Sequence, residues 1–209
     1  VIAPQGDRGE RLQQAFSKRW QQVGGEIVGQ VRYSPNSGNY SVQLADALGI
    51  DLASGKLRAG KTLPEMVFFV GSSSDAAAMM ETLTRNLQPL ALKGTEQIPV
   101  YATSQVFDGQ RMDVRTDGLR LCLAPWQAGA GPLRTDATPP PASADMLFAM
   151  GADAQMLYSK LAMMRSNPSL HVPGNTGYLS MDGERRVVRT LVWGVLKDGQ
   201  LQIQSAGRF

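Results

Sequence analysis

Residues 63–88, LPEMVFFVGSSSDAAAMMETLTRNLQ, predict the fold because they read as a strand, a turn and a helix in succession. Residues 66–70 are an unbroken apolar run, which is typical of a strand that is covered on both faces. Gly71 ends the strand, and the next four residues offer side-chain oxygens to the free N–H groups of a helix start. A doubly covered strand needs helices on both sides, so we expect a parallel α/β layer. The helix carries apolar residues at helical spacing: Ala76, Met79, Met80, Leu83 and Leu87.

Segments on either side of this stretch predict further units of the same kind. Residues 1–4, 26–33, 98–102 and 118–124 read as strands, and residues 9–23 and 40–48 read as amphipathic helices. The helix over 40–48 should turn Val42, Leu44, Ala45 and Leu48 inward. Asp7 follows the first strand and is a plausible N-cap of the first helix.

The last third of the chain predicts one long helix and a ribbon of strands. Residues 144–165 read as the longest helix, with a broad apolar face that includes Leu147, Met150, Tyr158 and Leu161. The pair Asp182-Gly183 is a strong hairpin signal between strands at 178–181 and 186–196. The sequence therefore predicts a Rossmann-like parallel sheet flanked by helices, with an antiparallel ribbon at the C-terminal end.

Composition narrows the classes of function. The chain has 209 residues, 43% of them apolar, and a formal charge of +3 that is scattered along the sequence. A nucleic-acid binder should concentrate its basic residues, so we expect no nucleic-acid partner. Cys122 is the single cysteine, and the carboxylates show no metal-ligand spacing. We therefore expect no metal, no cofactor and no intrachain disulfide, and a packing role for Cys122.

Residues 55–62, GKLRAGKT, fit the phosphate-binding pattern GxxxxGK[ST] letter for letter. That loop works when a strand leads into it and a helix follows at once, because the helix N–H groups then point at the phosphates. Here Pro64 and a buried strand follow, and no clear strand precedes Gly55. We interpret the match as accidental. A helix beginning near Lys61 would favour a nucleotide enzyme instead.

Ligands of open parallel sheets bind at the carboxyl ends of the strands, so the turns after the strands form the candidate site. The serines after Val70 lack a GxSxG elbow, and the single histidine, His171, lies in a predicted loop. We therefore expect helix caps or polar ligand contacts there, and no catalytic residues. The candidate ligand-binding residues are Asp7, Ser72, Ser73, Ser74, Ser104 and Gln105.

Several short segments, taken in order, resemble one family. The strand, turn and helix near the start are typical of the second lobe of type I periplasmic binding proteins. More narrowly, the chain resembles the C-terminal region of the LpoA family, outer-membrane lipoproteins that activate penicillin-binding proteins. The segments are residues 48–51 (LGID), 99–104 (PVYATS), 118–119 (GL), 147–154 (LFAMGADA), 163–165 (MMR), 174–180 (GNTGYLS) and 189–193 (RTLVW).

The resemblance implies a non-enzymatic regulator in the periplasm that binds and stimulates a class A penicillin-binding protein in peptidoglycan synthesis. Peptidoglycan is a further expected partner, and an N-terminal lipid upstream of Val1 would attach the protein to the outer membrane. Residues 1–116 and 172–209 would form the second lobe. Residues 117–171 would form a hinge crossing and part of the first lobe, whose remainder would also lie upstream. The alternative is a periplasmic solute-binding component for an amino acid or a similar small polar ligand.

Overall fold

The computed structural model describes residues 1–87, 97–129, 132 and 145–206. The chain divides into two compact units. The first unit holds Val1–Leu121 with Val195–Gln200, and the second holds Cys122–Gly194 with Leu201–Phe209. These units divide the chain at other residues than the predicted lobes, 1–116 with 172–209 and 117–171. The assignment to lobes of a larger two-lobed protein stays a prediction.

The first unit alternates strands and helices. Its elements are β1 (Ile2–Pro4), α1 (Asp7–Gln22), β2 (Val31–Tyr33), α2 (Ser41–Leu48), β3 (Val67–Phe69), α3 (Ser73–Glu81) and β4 (Val100–Thr103). A π-helical segment, Thr82–Leu87, continues α3, and 3-10 turns follow at Ser104–Val106 and Val114–Thr116. β5 (Arg120–Leu123) begins in this unit.

Parallel pairing builds the sheet. β1 pairs in parallel with both β2 and β3, and β3 pairs in parallel with β4. The full strand order is β10-β9-β5-β4-β3-β1-β2, where β9 is Val192–Lys197 and β10 is Gln200–Ala206. The core positions that the sequence predicted on the third helix are buried: Ala76, Met79, Met80, Leu83 and Leu87.

Helices and an antiparallel sheet make up the second unit. Its elements are α4 (Asp145–Tyr158), α5 (Leu161–Ser166), β6 (Val172–Pro173), β7 (Tyr178–Met181) and β8 (Val187–Thr190). β7 pairs antiparallel with β6 and with β8, and a turn at Gly183 and Glu184 joins β7 to β8, where Asp182-Gly183 predicted one. The strand predicted over 186–196 is divided at Leu191 into β8 and β9. The predicted fold class, a mostly parallel sheet flanked by helices with antiparallel strands near the end, is confirmed.

The predicted long helix over 144–165 is wrong in two respects. Residues 159 and 160 interrupt it, so that α4 and α5 are separate helices. Its apolar face is also not buried as a whole, since Leu147 is 71% and Tyr158 is 85% exposed. The unit has a small core, made of Leu157, Met164, Val172, Leu179 and Met181, and only one side of α4 and α5 reaches it.

Two smaller predictions in the first unit also need correction. β2 spans Val31–Tyr33 rather than 26–33, and its three residues pair with Ile2–Pro4 of β1. Val42 is 66% exposed although it was expected to face inward; the buried side of α2 carries Leu44, Ala45 and Leu48.

The phosphate-loop pattern does not have the structure that such a loop needs. Residues 55–62 are turns and irregular chain, and no helix begins at Lys61. β3 follows directly at Val67, as the sequence predicted. The interpretation of the pattern as accidental is therefore confirmed.

Candidate functional site

The turn after β3 is the best-defined part of the predicted site. Ser72 is the N-cap of α3, and its Oγ accepts a hydrogen bond from the backbone N–H of Asp75 at 3.2 Å. The same hydroxyl donates to Oδ2 of Asp75 at 2.8 Å. Because the single proton of Ser72 is used in this way, Ser74, 3.0 Å away, is the donor in the bond between the two serines.

Asp75 is the centre of a buried polar cluster at this edge of the sheet. It is 4% exposed, and its Oδ1 accepts from the Tyr40 hydroxyl at 2.5 Å and from the backbone N–H of Asn36 at 2.9 Å. The Tyr33 hydroxyl donates to the carbonyl oxygen of Val70 at 3.0 Å and lies 3.4 Å from Oδ2 of Asp75. The cluster joins the end of β2, the start of α2 and the start of α3.

The electrostatics of this cluster favour a charged carboxylate and neutral tyrosines. Burial alone would raise the pKa of Asp75, but hydrogen bonds from Tyr40, Asn36 and Ser72 outweigh it, so the pKa lies below its ordinary value. Burial raises the pKa of Tyr33, and the nearby Asp75 charge adds to the effect. Burial also raises the pKa of Tyr40, together with its hydrogen bond to Asp75.

The cluster is chemically a structural clamp. A carboxylate offers about four acceptor positions, and donors from the chain itself already occupy three of them at 2.9 Å or less. A bound solute would compete with these donors for Asp75. The polar groups that remain available at this edge are the exposed ones, above all Ser74 and Gln105.

The other predicted ligand residues follow neighbouring parallel strands and therefore lie at the same edge of the sheet. Asp7 is exposed and is the first residue of α1, while Gly6 takes the N-cap position that was expected for Asp7. Ser73 is half-buried at the start of α3. Ser104 and Gln105 form the 3-10 turn after β4. The ligand-binding role of all these residues stays a prediction.

Sequence reasoning missed the residues that organise this edge. Asp75 was taken only as a helix-start residue, and its partners Asn36 and Tyr40 lie 39 and 35 residues away in the chain. The sequence offered two signals: β2 ends in Tyr33, and Tyr40 directly precedes α2. Neither signal identifies its partner without the strand order.

A second buried carboxylate organises the second unit. Asp153 on α4 is 4% exposed, and its Oδ1 accepts from the backbone N–H and the side-chain amide of Asn175 at 2.7 and 2.9 Å. Its Oδ2 accepts from the N–H and the hydroxyl of Thr176 at 2.8 and 2.7 Å. These four bonds fix the turn over residues 174–177 against α4. Two of the segments quoted for the family resemblance, 147–154 and 174–180, therefore form one structural feature.

Three further side chains that could take part in a functional site are His171, Cys122 and Trp126. His171 is exposed, and its Nδ1 lies 2.9 Å from the carbonyl oxygen of Ser169. Cys122 is half-buried, and burial raises the pKa of its thiol. Trp126 is half-buried and packs against Phe148. In the part of the chain that the structure describes, no cluster of three metal-ligating side chains occurs, and no helix is long and apolar enough to span a membrane.

Solved structures define the class of this fold. The LpoA C-domain from Haemophilus influenzae, a regulator of PBP1A, matches with a TM-score of 0.63 at 22% identity, covering 98% of this chain and 60% of that one. A putative branched-chain amino acid ABC transporter protein from Chromobacterium violaceum matches with a TM-score of 0.62 at 24% identity, covering 93% and 57%. The fold is therefore like that of the type I periplasmic binding proteins.

Sequence comparison then gives the family. The family model described as LppC putative lipoprotein matches residues 1–199, and the chain belongs to this family. The penicillin-binding protein activator LpoA of Pectobacterium parmentieri is 28% identical, over 96% of this chain and 34% of its own length. The chain thus spans about a third of the length of the curated relatives it matches. The resemblance to the LpoA family is confirmed.

Proposed function

We propose that this chain is a non-enzymatic regulatory domain that binds a class A penicillin-binding protein and stimulates its peptidoglycan cross-linking. The observation that carries the proposal is the family match over residues 1–199, with relatives named as penicillin-binding protein activators aligned along 96% of the chain. The lipoprotein description of the family supports a periplasmic location with a lipid anchor in the outer membrane. Peptidoglycan is a second expected contact, and nucleic acid is not expected.

The strand-end geometry favours a regulator over a solute receptor. A receptor for a charged solute needs polar groups that are unsatisfied until the ligand arrives. Here the most buried polar group at the edge, Asp75, is held by Tyr40, Asn36 and Ser72 of its own chain. A protein partner, in contrast, can use exposed side chains around the edge and does not need a polar cavity.

A solute-binding component for an amino acid or a similar small polar ligand is the second candidate function. The carboxyl ends of the parallel strands favour this function, because polar residues follow three neighbouring strands there. These residues are Asp7 after β1, Ser72–Ser74 after β3 and Ser104–Gln105 after β4. Exposed Ser74 and Gln105 would then contact the ligand. The likeness to a putative amino acid transporter protein supports the fold of such a receptor but not its ligand.

A binding and activity assay tests the regulator. The purified chain is incubated with the periplasmic region of a class A penicillin-binding protein from the same cell, and both complex formation and the rate of peptide cross-linking are measured. We expect a complex and a faster cross-linking rate. A chain that neither binds the enzyme nor changes its rate, and whose melting temperature rises on addition of amino acids, contradicts the proposal and supports the solute receptor.

Two exposed side chains separate the candidates further. The double variant Ser74→Arg, Gln105→Arg places bulk and charge at the strand-end edge. It keeps every donor to Asp75, although it removes the Ser74 hydroxyl that bonds to Ser72. A regulator that docks elsewhere keeps its stimulation in this variant, whereas a solute receptor loses its ligand-dependent rise in melting temperature. The double variant Arg185→Ser, Glu184→Ser, in the exposed β7–β8 turn, is the matched control.

A further inference from the structure

One side of α1 is fixed against the sheet. Gly9 and Gln13 are buried on that side, and the Phe16 ring is stacked on Phe68 of β3 with centroids 3.8 Å apart. Gly9 approaches β1 so closely that an added Cβ would lie 1.9 Å from the carbonyl oxygen of Pro4. These contacts fix the rotation of the helix about its axis, and they therefore decide which side chains α1 presents to solvent.

The opposite side of α1 brings together cations that are separated in the sequence. At 3.6 residues per turn, positions 8, 11, 15, 18, 19 and 22 fall within an arc of about 100° and extend about 20 Å along the helix axis. All six residues are exposed. Two of them, Ala15 and Gln22, are uncharged. The other four form what is here called the α1 cationic face: Arg8, Arg11, Lys18 and Arg19.

The described residues supply no carboxylate partner for this face. The ion pairs that they form involve other cations, and Glu10 of α1 itself pairs with Arg32 of β2. Asp7, the second acidic residue of α1, accepts a hydrogen bond from Nε of Arg11 at 3.2 Å through its carbonyl oxygen, not through its carboxylate. The α1 cationic face is therefore a surface of net positive charge.

Helix stability does not explain this arrangement. Arg8 lies in the first turn, where the helix dipole disfavours positive charge. Arg8 and Arg11 are three residues apart, and like charges at this spacing are neighbours on the helix surface and destabilise it. Arg19, in the last turn, is favourably placed with respect to the dipole. Because the four cations together contribute little to the fold, their common position is better explained by contacts with a partner.

The chemistry of the face favours a protein partner over a membrane or a nucleic acid. A helix that binds a membrane inserts large apolar side chains, but those of α1, Leu12, Phe16 and Trp20, are half-buried against the protein. Single-stranded nucleic acids stack their bases on exposed aromatic side chains, and the exposed stripe of α1 has none. Carboxylates on a folded surface, in contrast, can approach all four cations while both sides remain partly solvated.

We propose that the α1 cationic face docks an acidic surface of the partner enzyme. The inference rests on the proposed function, because the partner is the class A penicillin-binding protein named there. It adds a docking surface whose side chains are separate from the Asp75 cluster and from the strand-end residues Ser74 and Gln105. Exposed ion pairs each add little affinity, whereas surface charges strongly speed the encounter of two proteins. The face should therefore act chiefly on the association rate.

Neutralising variants of the 209-residue chain test the face. The α1 variant carries Arg8→Gln, Arg11→Gln, Lys18→Gln and Arg19→Gln, since Gln has nearly the helix propensity of Arg and Lys. Its control removes the same net charge from exposed positions elsewhere: Lys56→Gln, Arg165→Gln, Arg185→Gln and Lys197→Gln. Association with the periplasmic region of the enzyme is followed by surface plasmon resonance from about 50 mM to about 300 mM salt. We expect the association rate constant to fall about tenfold in the α1 variant, with a weaker salt dependence, and about threefold or less in the control.

Two double variants guard against a loss of folding. Arg8→Gln with Arg11→Gln, and Lys18→Gln with Arg19→Gln, should each slow association about threefold, because each removes half of the face. Their melting temperatures should stay within about 4 °C of the parent chain, since all four side chains are exposed.

The outcomes separate this inference from the proposed function. If the α1 variant associates like the parent, or no more slowly than the control, the inference is overturned and the proposed function stands. If the parent chain itself does not bind the enzyme, both fail. The inference is also overturned if the parent binds vesicles of anionic phospholipid and the α1 variant does not, while both bind the enzyme equally well. The occupant of the face would then be a membrane.

Discussion

Asp153 shows how one side chain can hold a whole segment in place. Its carboxylate is buried and accepts four hydrogen bonds from Asn175 and Thr176, two of them from backbone N–H groups. Backbone donors that are buried without an acceptor are costly, whereas hydrogen bonds to a charged acceptor are among the stronger ones in proteins. The turn over residues 174–177 therefore depends on a residue more than twenty positions earlier in the chain.

Asp153→Asn should lower the free energy of unfolding by about 1 to 3 kcal/mol, because its amide nitrogen replaces one acceptor oxygen and leaves a buried donor unpaired. Asp153→Ala should cost more, since it removes both acceptors. Asn175→Ala should cost least, because it loses the side-chain bond but keeps the backbone one. Urea unfolding at pH 7 measures all three, and an Asn175→Ala cost that equals the cost of Asp153→Ala would contradict this account.

At the scale of a helix, α4 has apolar residues on nearly every side, and the structure decides which side is buried. Leu157 is 7% exposed and belongs to the core of the second unit, with Met164 and Leu179. Leu147 and Tyr158 are exposed. Periodicity identified helical structure here, but it missed the interruption after Tyr158 and could not say which of the apolar residues have partners.

Substitutions on the buried side of α4 should lower the stability of the protein more than substitutions on its exposed side. Leu157→Ala should lower the free energy of unfolding by about 2 to 4 kcal/mol, because it leaves a cavity in a small core. Leu147→Gln and Tyr158→Gln should each change it by less than about 0.5 kcal/mol, since both side chains are mainly in solvent. Chemical denaturation of the three variants measures this order, and a large loss in Tyr158→Gln would mean that the side chain is covered in solution.

At the scale of the whole molecule, sequence patterns predict the features that depend on neighbouring residues in the chain. Contacts between distant segments depend on the strand order, which the patterns do not give. The apolar run at 66–70, the serine cap before α3 and the Asp182-Gly183 turn depend on neighbours in the chain, so they were predictable. The Asp75 cluster was not, because it joins residues from three elements that meet only after β1 pairs with both β2 and β3. The interruption at residues 159 and 160 carries no proline or glycine and gave no signal.

The response of the whole molecule to pH follows from groups whose pKa values change on folding. Hydrogen bonds from Ser54, Arg115 and Arg186 respectively lower the pKa values of Asp51, Asp113 and Asp182, of which Asp113 is exposed and the other two are half-buried. The pKa of Asp75 is lowered by its hydrogen bonds against the effect of burial. A carboxylate with a lowered pKa stabilises the fold above its unfolded pKa, which is about 4, and this contribution is lost as the pH falls through the folded value.

Tyr33 and Tyr40 act in the opposite range, because their raised pKa values make the fold favour the neutral phenol. Their contribution is complete below the unfolded pKa of about 10 and is lost as the pH rises from that value towards the folded one. The free energy of unfolding should therefore fall below about pH 5 and above about pH 9. Between these limits the Val1 amine, whose pKa is lowered by burial to about 6, should add a rise with pH between about 6 and 8. Urea unfolding from pH 3 to pH 11 measures the profile.

Variants assign the two limbs of this profile to the Asp75 cluster. Asp75→Asn cannot ionise, so its deficit in stability relative to the parent chain should shrink below about pH 4, where the parent loses the same charge. Tyr33→Phe removes a phenol that must stay protonated, so its fall above pH 10 should be shallower than that of the parent. Glu184→Gln, at an exposed turn position, is the control and should follow the parent at both ends. A deficit of Asp75→Asn that grows as the pH falls from 7 to 3 would show that the folded chain favours the protonated carboxyl, and the clamp would then be a neutral hydrogen-bonded cluster.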